Sequence, residues 1–262
     1  MKENKIIIKF LAIAFSFAWL LWGTVIYLKL NFMSIAGLTL TLLGAFAPSI
    51  AAIVCVGKGF RKKFLKSFVS LNFGYKTYLA MFIVLPLTAI FAWRIPELFG
   101  YQYLPPLMAI SIFPIYFLLM VFVGGGQEEI GWRGYLMKFL EDKYGLFFGG
   151  LILGIIWLIW HLPLWFIYGS SQSFMPFIAF AFLTIGYSFF FSWIIEFSGG
   201  RLFAGMFVHG LANSLAPFFP FLNLQANTQP RFWIYALSMF IIGLIIVLFR
   251  TSKNRTKTTK KS

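Results

Sequence analysis

The chain has 262 residues, 60% hydrophobic and 21% aromatic, with only 11% charged and a mean hydropathy of +0.86. A soluble domain carries about 25% charged residues, so this composition excludes an ordinary water-soluble domain and points to an integral membrane protein. The net charge of +15 invites a nucleic-acid reading, but the basic residues occupy short loops and both tails between apolar runs, so no nucleic-acid partner is expected.

The first apolar run, Phe10 to Leu28, holds no charge until Lys29. It exceeds the roughly 7–15 residues of a secretory signal core, and no small-residue cleavage site follows, so it is read as a retained first span. Crossing a bilayer takes about 20 mostly apolar residues. Eight segments qualify: 7–28, 34–57, 77–97, 106–128, 146–168, 175–197, 202–221 and 232–250. The stretch GSSQS at Gly169–Ser173, followed by Pro176, separates two of them with a turn. If the N-terminus is cytoplasmic, every Lys and Arg except Lys29, Arg94 and Arg231 falls on that side. This asymmetry predicts an even number of spans with both termini cytoplasmic.

Two pieces are not read as spans. The segment FRKKFLKSFVSLNF, 60–73, spaces Phe60, Phe64 and Phe68 four apart among lysines and is expected to form an amphipathic helix on an anionic leaflet. Residues 251–262 are expected to be a basic, disordered tail, leaving 1–250 as one polytopic membrane domain. The lone Cys55 lies in an apolar run and is read as packing.

The chemistry concentrates in GGGQEEIGWRGYL, Gly124 to Leu136, at the end of an apolar run. An ionisable group at membrane depth costs at least ~2.5 kcal/mol and is a functional candidate by default. Glu129 and Arg133 are four apart on one helix face and can form an ion pair. Adjacent carboxylates in low dielectric resist double ionisation, so Arg133 can hold Glu129 charged and leave Glu128 free for proton transfer. Taken alone, the same residues also fit a charged helix end emerging into the cytosol.

Both histidines of the chain lie in apolar segments, His161 in WLIWHLPLW and His209 in GMFVHGLANS. From Glu128 the chain runs to a turn near Asp142–Gly145 and returns to His161. Each arm is about 21–22 Å long at ~1.5 Å per residue, so an antiparallel hairpin brings His161 to the height of Glu128. Pro163 is expected to kink the helix beside His161, a kink that can make a cavity or simply be tolerated. His209 and Asn213 are four apart and share a face with Gly205 and Ala216, small residues that let another helix or a substrate come close. That face also fits a packing seam with an interhelical Asn hydrogen bond. Glu128, His161, His209 and Asn213 can converge at one shallow depth open to the inner side. A carboxylate helped by an imidazole can deprotonate water, and imidazole and carboxamide N–H groups can stabilise an oxyanion. No Gly-X-Ser-X-Gly elbow is present, and Ser214 points about 100° away from Asn213 around the helix.

EEIGWR (Glu128–Arg133) resembles the EExxxR motif of the CPBP (CAAX protease and bacteriocin-processing) or Abi intramembrane proteases, which are related to the type II CAAX prenyl endopeptidases. WLIWH (Trp157–His161) resembles that family's FxxxH motif, and HGLAN (His209–Asn213) its HxxxN motif. The motifs come in the family's order over roughly the second half of the chain. The departure is Trp157 in place of Phe, an aromatic exchange expected to change little. The resemblance implies an all-α protein of about eight transmembrane helices around a polar cavity open to the cytoplasmic side. It implies peptide-bond hydrolysis in a membrane-associated protein or peptide. Carried over, Glu128 would activate water with His161, His209 and Asn213 would form the oxyanion hole, and Glu129 with Arg133 would support Glu128. For a bacterial source the location would be the cell membrane, with a signal, pheromone or bacteriocin-type peptide as substrate.

Glu128, His161 and His209 would also number enough ligands for a catalytic zinc with one open position. Metal-independent glutamate catalysis with no cofactor is the reading preferred, because no His-Glu-X-X-His pair is present. Two other classes share the sequence features: a proton-coupled or peptide-exporting transporter, and a non-catalytic immunity or scaffold protein that binds a peptide in the same cavity. Oligomeric state is not readable.

Overall fold

A computed structural model describes residues 2–226 and 228–259, with side chains for 4–226 and 228–252. Its regular elements are helices, with no strand among the described residues. In chain order the α-helices are α1 (Lys2–Tyr27), α2 (Ile35–Ala45), α3 (Ala47–Cys55), α4 (Arg61–Lys66), α5 (Tyr75–Arg94), α6 (Phe113–Phe122), a short α7 (Glu129–Gly131), α8 (Met137–His161), α9 (Phe177–Phe197), α10 (Leu202–Ser214) and α11 (Pro230–Thr259). An all-helical protein follows from apolar runs this long, because a helix satisfies every backbone N–H and C=O within the segment.

Among the described residues, six stretches are long and apolar enough to cross a membrane: Asn4–Tyr27, Ile35–Cys55, Tyr75–Phe99, Ile110–Phe166, Phe177–Phe197 and Pro230–Ser252. The eight-segment expectation differs in two places. Segments 106–128 and 146–168 fall within one 57-residue stretch, which is helical over most of its length and broken at Gly145. It passes from a 3₁₀ turn at Gly126–Glu128 through α7 and a π-helical turn at Trp132–Leu136 into α8. Segment 202–221 is helical for only 13 residues. Such a helix reaches about 20 Å, against a hydrocarbon core of about 30 Å.

Gly145 is the one non-helical residue inside α8, at φ 76° and ψ 174°. The chain therefore reverses where the sequence places the Asp142–Gly145 turn. Pro163 produces no kink within α8. The helix ends at His161, and Pro163 sits in the first turn of the 3₁₀ segment Leu162–Phe166, where a missing N–H costs nothing.

The basic segment after α3 folds differently from the expected 60–73 helix. Only Arg61–Lys66 is α-helical. Phe60 is exposed, but Phe68 and Phe73 are buried, and Phe68 stacks edge-on against Phe64 at 5.4 Å. Two of the phenylalanines face protein, which leaves a shorter apolar face for a leaflet. At the other terminus α11 continues past residue 250 to Thr259, so helix extends into the tail expected to be disordered; 260–262 lie outside the described residues. Lys and Arg are good helix formers, and extending an existing helix avoids the nucleation cost.

The core is built where α9 packs against α8, α10 and α11, where α10 packs on α6, and where α1 packs on α3 and α8. It includes Trp22, Trp132, Trp160, Phe190, Phe191, Phe232 and Tyr235. One end of the bundle is tied by polar contacts between distant residues: Lys143 Nζ donates to Asn4 Oδ1 at 3.0 Å, Arg201 Nη1 donates to Ser70 Oγ at 2.9 Å, and Arg250 pairs with Glu196. Elsewhere Arg231 donates to the carbonyls of Trp93 (2.8 Å) and Gln102 (2.6 Å), and Arg94 pairs with Glu97 at 3.0 Å.

Candidate active site

The glutamate pair lies at the junction of the 3₁₀ turn and α7. The chain reaches it through Gly125, whose φ of +127° disfavours any L side chain. A Cβ there would stand 2.4 Å from Asn213 Nδ2 and 2.7 Å from His209 Nε2, so the backbone passes directly beside both side chains. From behind, α3 presses on the turn. Ser49 donates its hydroxyl to the Gln127 carbonyl, and a Cβ on Gly131 would come within 2.4 Å of the Pro48 backbone.

The two glutamates have different partners. Glu129 is fully buried. Its Oε1 accepts from Arg133 Nη1 at 2.7 Å and from His209 Nδ1 at 2.8 Å, so the ion pair expected from the i,i+4 spacing is present and a histidine joins it. The Arg133 guanidinium also lies 4.7 Å over the Trp157 ring and 5.3 Å over Phe191. Burying these charges is tolerable because they are paired and the cation faces two π-systems. Arg133 occupies the π-helical turn, a distortion that re-aims side chains and recurs at functional sites.

Glu128 is also buried. Its Oε2 accepts from Trp157 Nε1 at 2.9 Å and from Trp132 Nε1 at a longer 3.4 Å. Both indoles hold the same oxygen, so Oε1 is the one turned to other chemistry. Trp157 comes from the return arm of the hairpin, and its bond to Glu128 shows that this arm reaches the depth of the glutamates.

His161 Nδ1 lies 2.7 Å from the Trp157 carbonyl. A carbonyl only accepts, so Nδ1 carries the proton and Nε2 carries the lone pair. The Trp157 ring is 5.5 Å from the His161 ring and 5.2 Å from the His209 ring, centroid to centroid. Both histidines are buried. Asn213 is exposed and donates from Nδ2 to the Gly124 carbonyl at 2.8 Å, leaving its second N–H unspent.

Four of the six residues singled out from the sequence, Glu128, Arg133, His161 and His209, thus gather around Trp157, but the six do not form a single cluster. Glu129, Arg133 and His209 form one hydrogen-bonded group. Glu128 and His161 are each held by Trp157, and Asn213 stands beside His209 across Gly125. Among the described residues no hydrogen bond joins Glu128 to either histidine. Among the described residues no group of three His, Cys, Asp or Glu side chains is spaced to hold a metal ion. The sequence predicts only that Trp157 replaces Phe with little consequence, and it gives no role to Trp132 or Gly125. Trp157 precedes His161 by four residues and so shares its helix face, a spacing that could have placed an indole donor in the site.

A cavity of about 450 Å³ lies against the same region, lined by Arg133, Lys138, Glu141, Asp142, Glu196 and Arg250 among others. It touches the group at Arg133.

Residues 110–215, which contain all of these site residues, match the family described as "Type II CAAX prenyl endopeptidase Rce1-like". A protein of Methanococcus maripaludis named CAAX prenyl protease 2 is 28% identical over 171 residues, covering 60% of this chain and 62% of that relative. The match thus spans about three fifths of the curated relative's length. The family match falls on the stretch that holds both glutamates and both histidines, and there the chain is similar to the Rce1-like type II CAAX prenyl endopeptidases.

Proposed function

We propose that this protein is an intramembrane endopeptidase that hydrolyses a peptide bond of a membrane-associated protein or peptide with water activated by Glu128. The observation that carries the reading is the hold on Glu128. A buried carboxylate has one oxygen fixed by two indoles and the other left to take a proton from water. His161, with its Nε2 lone pair available, assists in orienting that water. Hydroxide adds to the carbonyl carbon as the proton passes to Glu128. The developing oxyanion is met by Asn213 and His209. His209 donates from Nε2 only when its ring carries a second proton, for which Glu129 on Nδ1 supplies the counter-charge. The proton on Glu128 is then delivered to the leaving nitrogen as the C–N bond breaks. No step is assigned to a metal.

The substrate reading draws on the relative, whose name denotes a protease acting on prenylated CAAX proteins. The protein works in the membrane with both termini cytoplasmic and eight crossings. The reversal at Gly145 divides the 57-residue stretch into two of them, and α10 with the turns after it makes a short one. Residues assigned to the inner side by charge, among them Lys143, Arg201 and Arg250, make contacts at one end of the bundle, which supports this orientation. The 450 Å³ charged cavity then opens to the cytoplasmic side.

The test is cleavage of a reporter peptide by purified protein. Glu128→Ala should abolish it while expression and folding persist. Full activity in that variant would remove Glu128 as the base.

A further inference from the structure

We propose that Trp157 is a positioning residue for Glu128, acting through its indole N–H. The 2.9 Å bond from Trp157 Nε1 to Glu128 Oε2 is the shorter of the two that this oxygen receives. The indole itself cannot readily turn. It is 3% exposed, lies under the Arg133 guanidinium and packs against His161, His209, Tyr187 and Phe191. The same residue fixes His161 through its main chain, because the Trp157 carbonyl takes the Nδ1 proton. One residue therefore sets Glu128 with its side chain and His161 with its backbone.

The chemistry follows from which half is replaceable. Phenylalanine, the residue of the motif that Trp157–His161 resembles, would keep the carbonyl and the aromatic packing. It has no donor for Glu128. In this chain the carboxylate would then lose its ordinary-length hydrogen bond and keep only the 3.4 Å contact from Trp132. The glutamate side chain would gain rotational freedom, and Oε1 would lose its fixed aim at the water. The exchange of Trp for Phe at this position is thus not neutral here; it adds a donor to the base.

The consequence for turnover rests on the hydrolase reading above, whereas the hydrogen bond does not. The experiment separates the two. Infrared difference spectra of purified full-length protein against Glu128→Gln identify the Glu128 carboxyl band. That band is then followed in Trp157→Phe and in protein carrying 3-benzothienylalanine at 157, which keeps the indole's shape and lacks its N–H. The expected result is a shifted band in both, with kcat lowered about 10- to 100-fold, the range of a hydrogen bond to a charged group, and KM within about twofold. Trp132→Phe should shift the band less and lower kcat less. If Trp157→Phe fails to fold, the shape-preserving replacement carries the test. An unmoved band, or full kcat in the benzothienyl protein, would overturn the proposal. A shifted band in a protein whose cleavage does not depend on Glu128 would leave the hydrogen bond standing and overturn Glu128 as the base instead.

Discussion

Arg133 and His209 meet on a single oxygen of Glu129, at 2.7 and 2.8 Å. The pair is intramolecular glue between the turn at Trp132–Leu136 and α10, since it joins residues 76 positions apart in the chain through one buried carboxylate. It also divides labour between neighbouring acids. Glu129 is spent on a cation and an imidazole, and Glu128 is held only by neutral indole donors.

That division predicts opposite phenotypes. Glu129→Ala leaves Arg133 buried without its anion and should cost about 3–5 kcal/mol of stability, read as a large drop in the thermal midpoint of detergent-purified protein. Glu128→Gln should stay within about 1 kcal/mol of wild type, because it removes no ion pair, yet lose cleavage. Equal melting of the two variants would contradict the assignment.

His161 makes its hydrogen bond to a main-chain carbonyl of its own helix and pairs with no charge among the described residues. His161→Ala should therefore lower kcat about 10²- to 10⁴-fold, the usual span for a positioned acid–base group, with only a modest change in melting. Steady-state kinetics beside a melting curve decide it. A variant that retains kcat would reduce His161 to packing.

Gly125 holds a φ of +127°, which would strain any L side chain, and is hemmed in by Asn213 and His209. Gly125→Ala should abolish cleavage and lower stability by about 1–3 kcal/mol. Gly100→Ala is the control. Gly100 also has a positive φ, 83°, but open space where a Cβ would go, so it should lose some stability and keep its activity.

The metal prediction comes from the glutamate mechanism. If Glu128 activates water without a metal, as proposed above, activity should survive exhaustive dialysis against a chelator. Elemental analysis of the dialysed, active protein should find less than one tightly held transition-metal ion per chain. Zinc that is stoichiometric and rises and falls with activity would defeat the glutamate mechanism.

Topology can be read with the lone cysteine removed. In a Cys55→Ala background, Lys62→Cys should react with a membrane-impermeant thiol reagent only in inside-out vesicles. Tyr101→Cys should react only in right-side-out ones. The reverse pattern would invert the whole orientation.

The amino-acid sequence was enough to determine an all-helical chain rich in membrane-crossing stretches and a reversal near Gly145, as well as the Glu129–Arg133 ion pair. These depend on local quantities: the length of apolar runs, the turn-forming capacity of glycine, and the 3.6-residue period that brings positions four apart together. The same period kept His209 and Asn213 on one face. Other features were decided only by the tertiary structure. Which glutamate receives His209, the Trp157 bond to Glu128, the shortness of α10 and the burial of Phe68 all depend on how helices distant in sequence rotate and slide against each other. Apolar runs are nearly degenerate in that respect, because lipid and protein offer similar apolar surroundings and the pattern of hydrophobic residues does not say which face meets which. The choice is made by close approaches such as Gly131 on Pro48 and by a handful of buried polar bonds, and those exist only once the helices have come together.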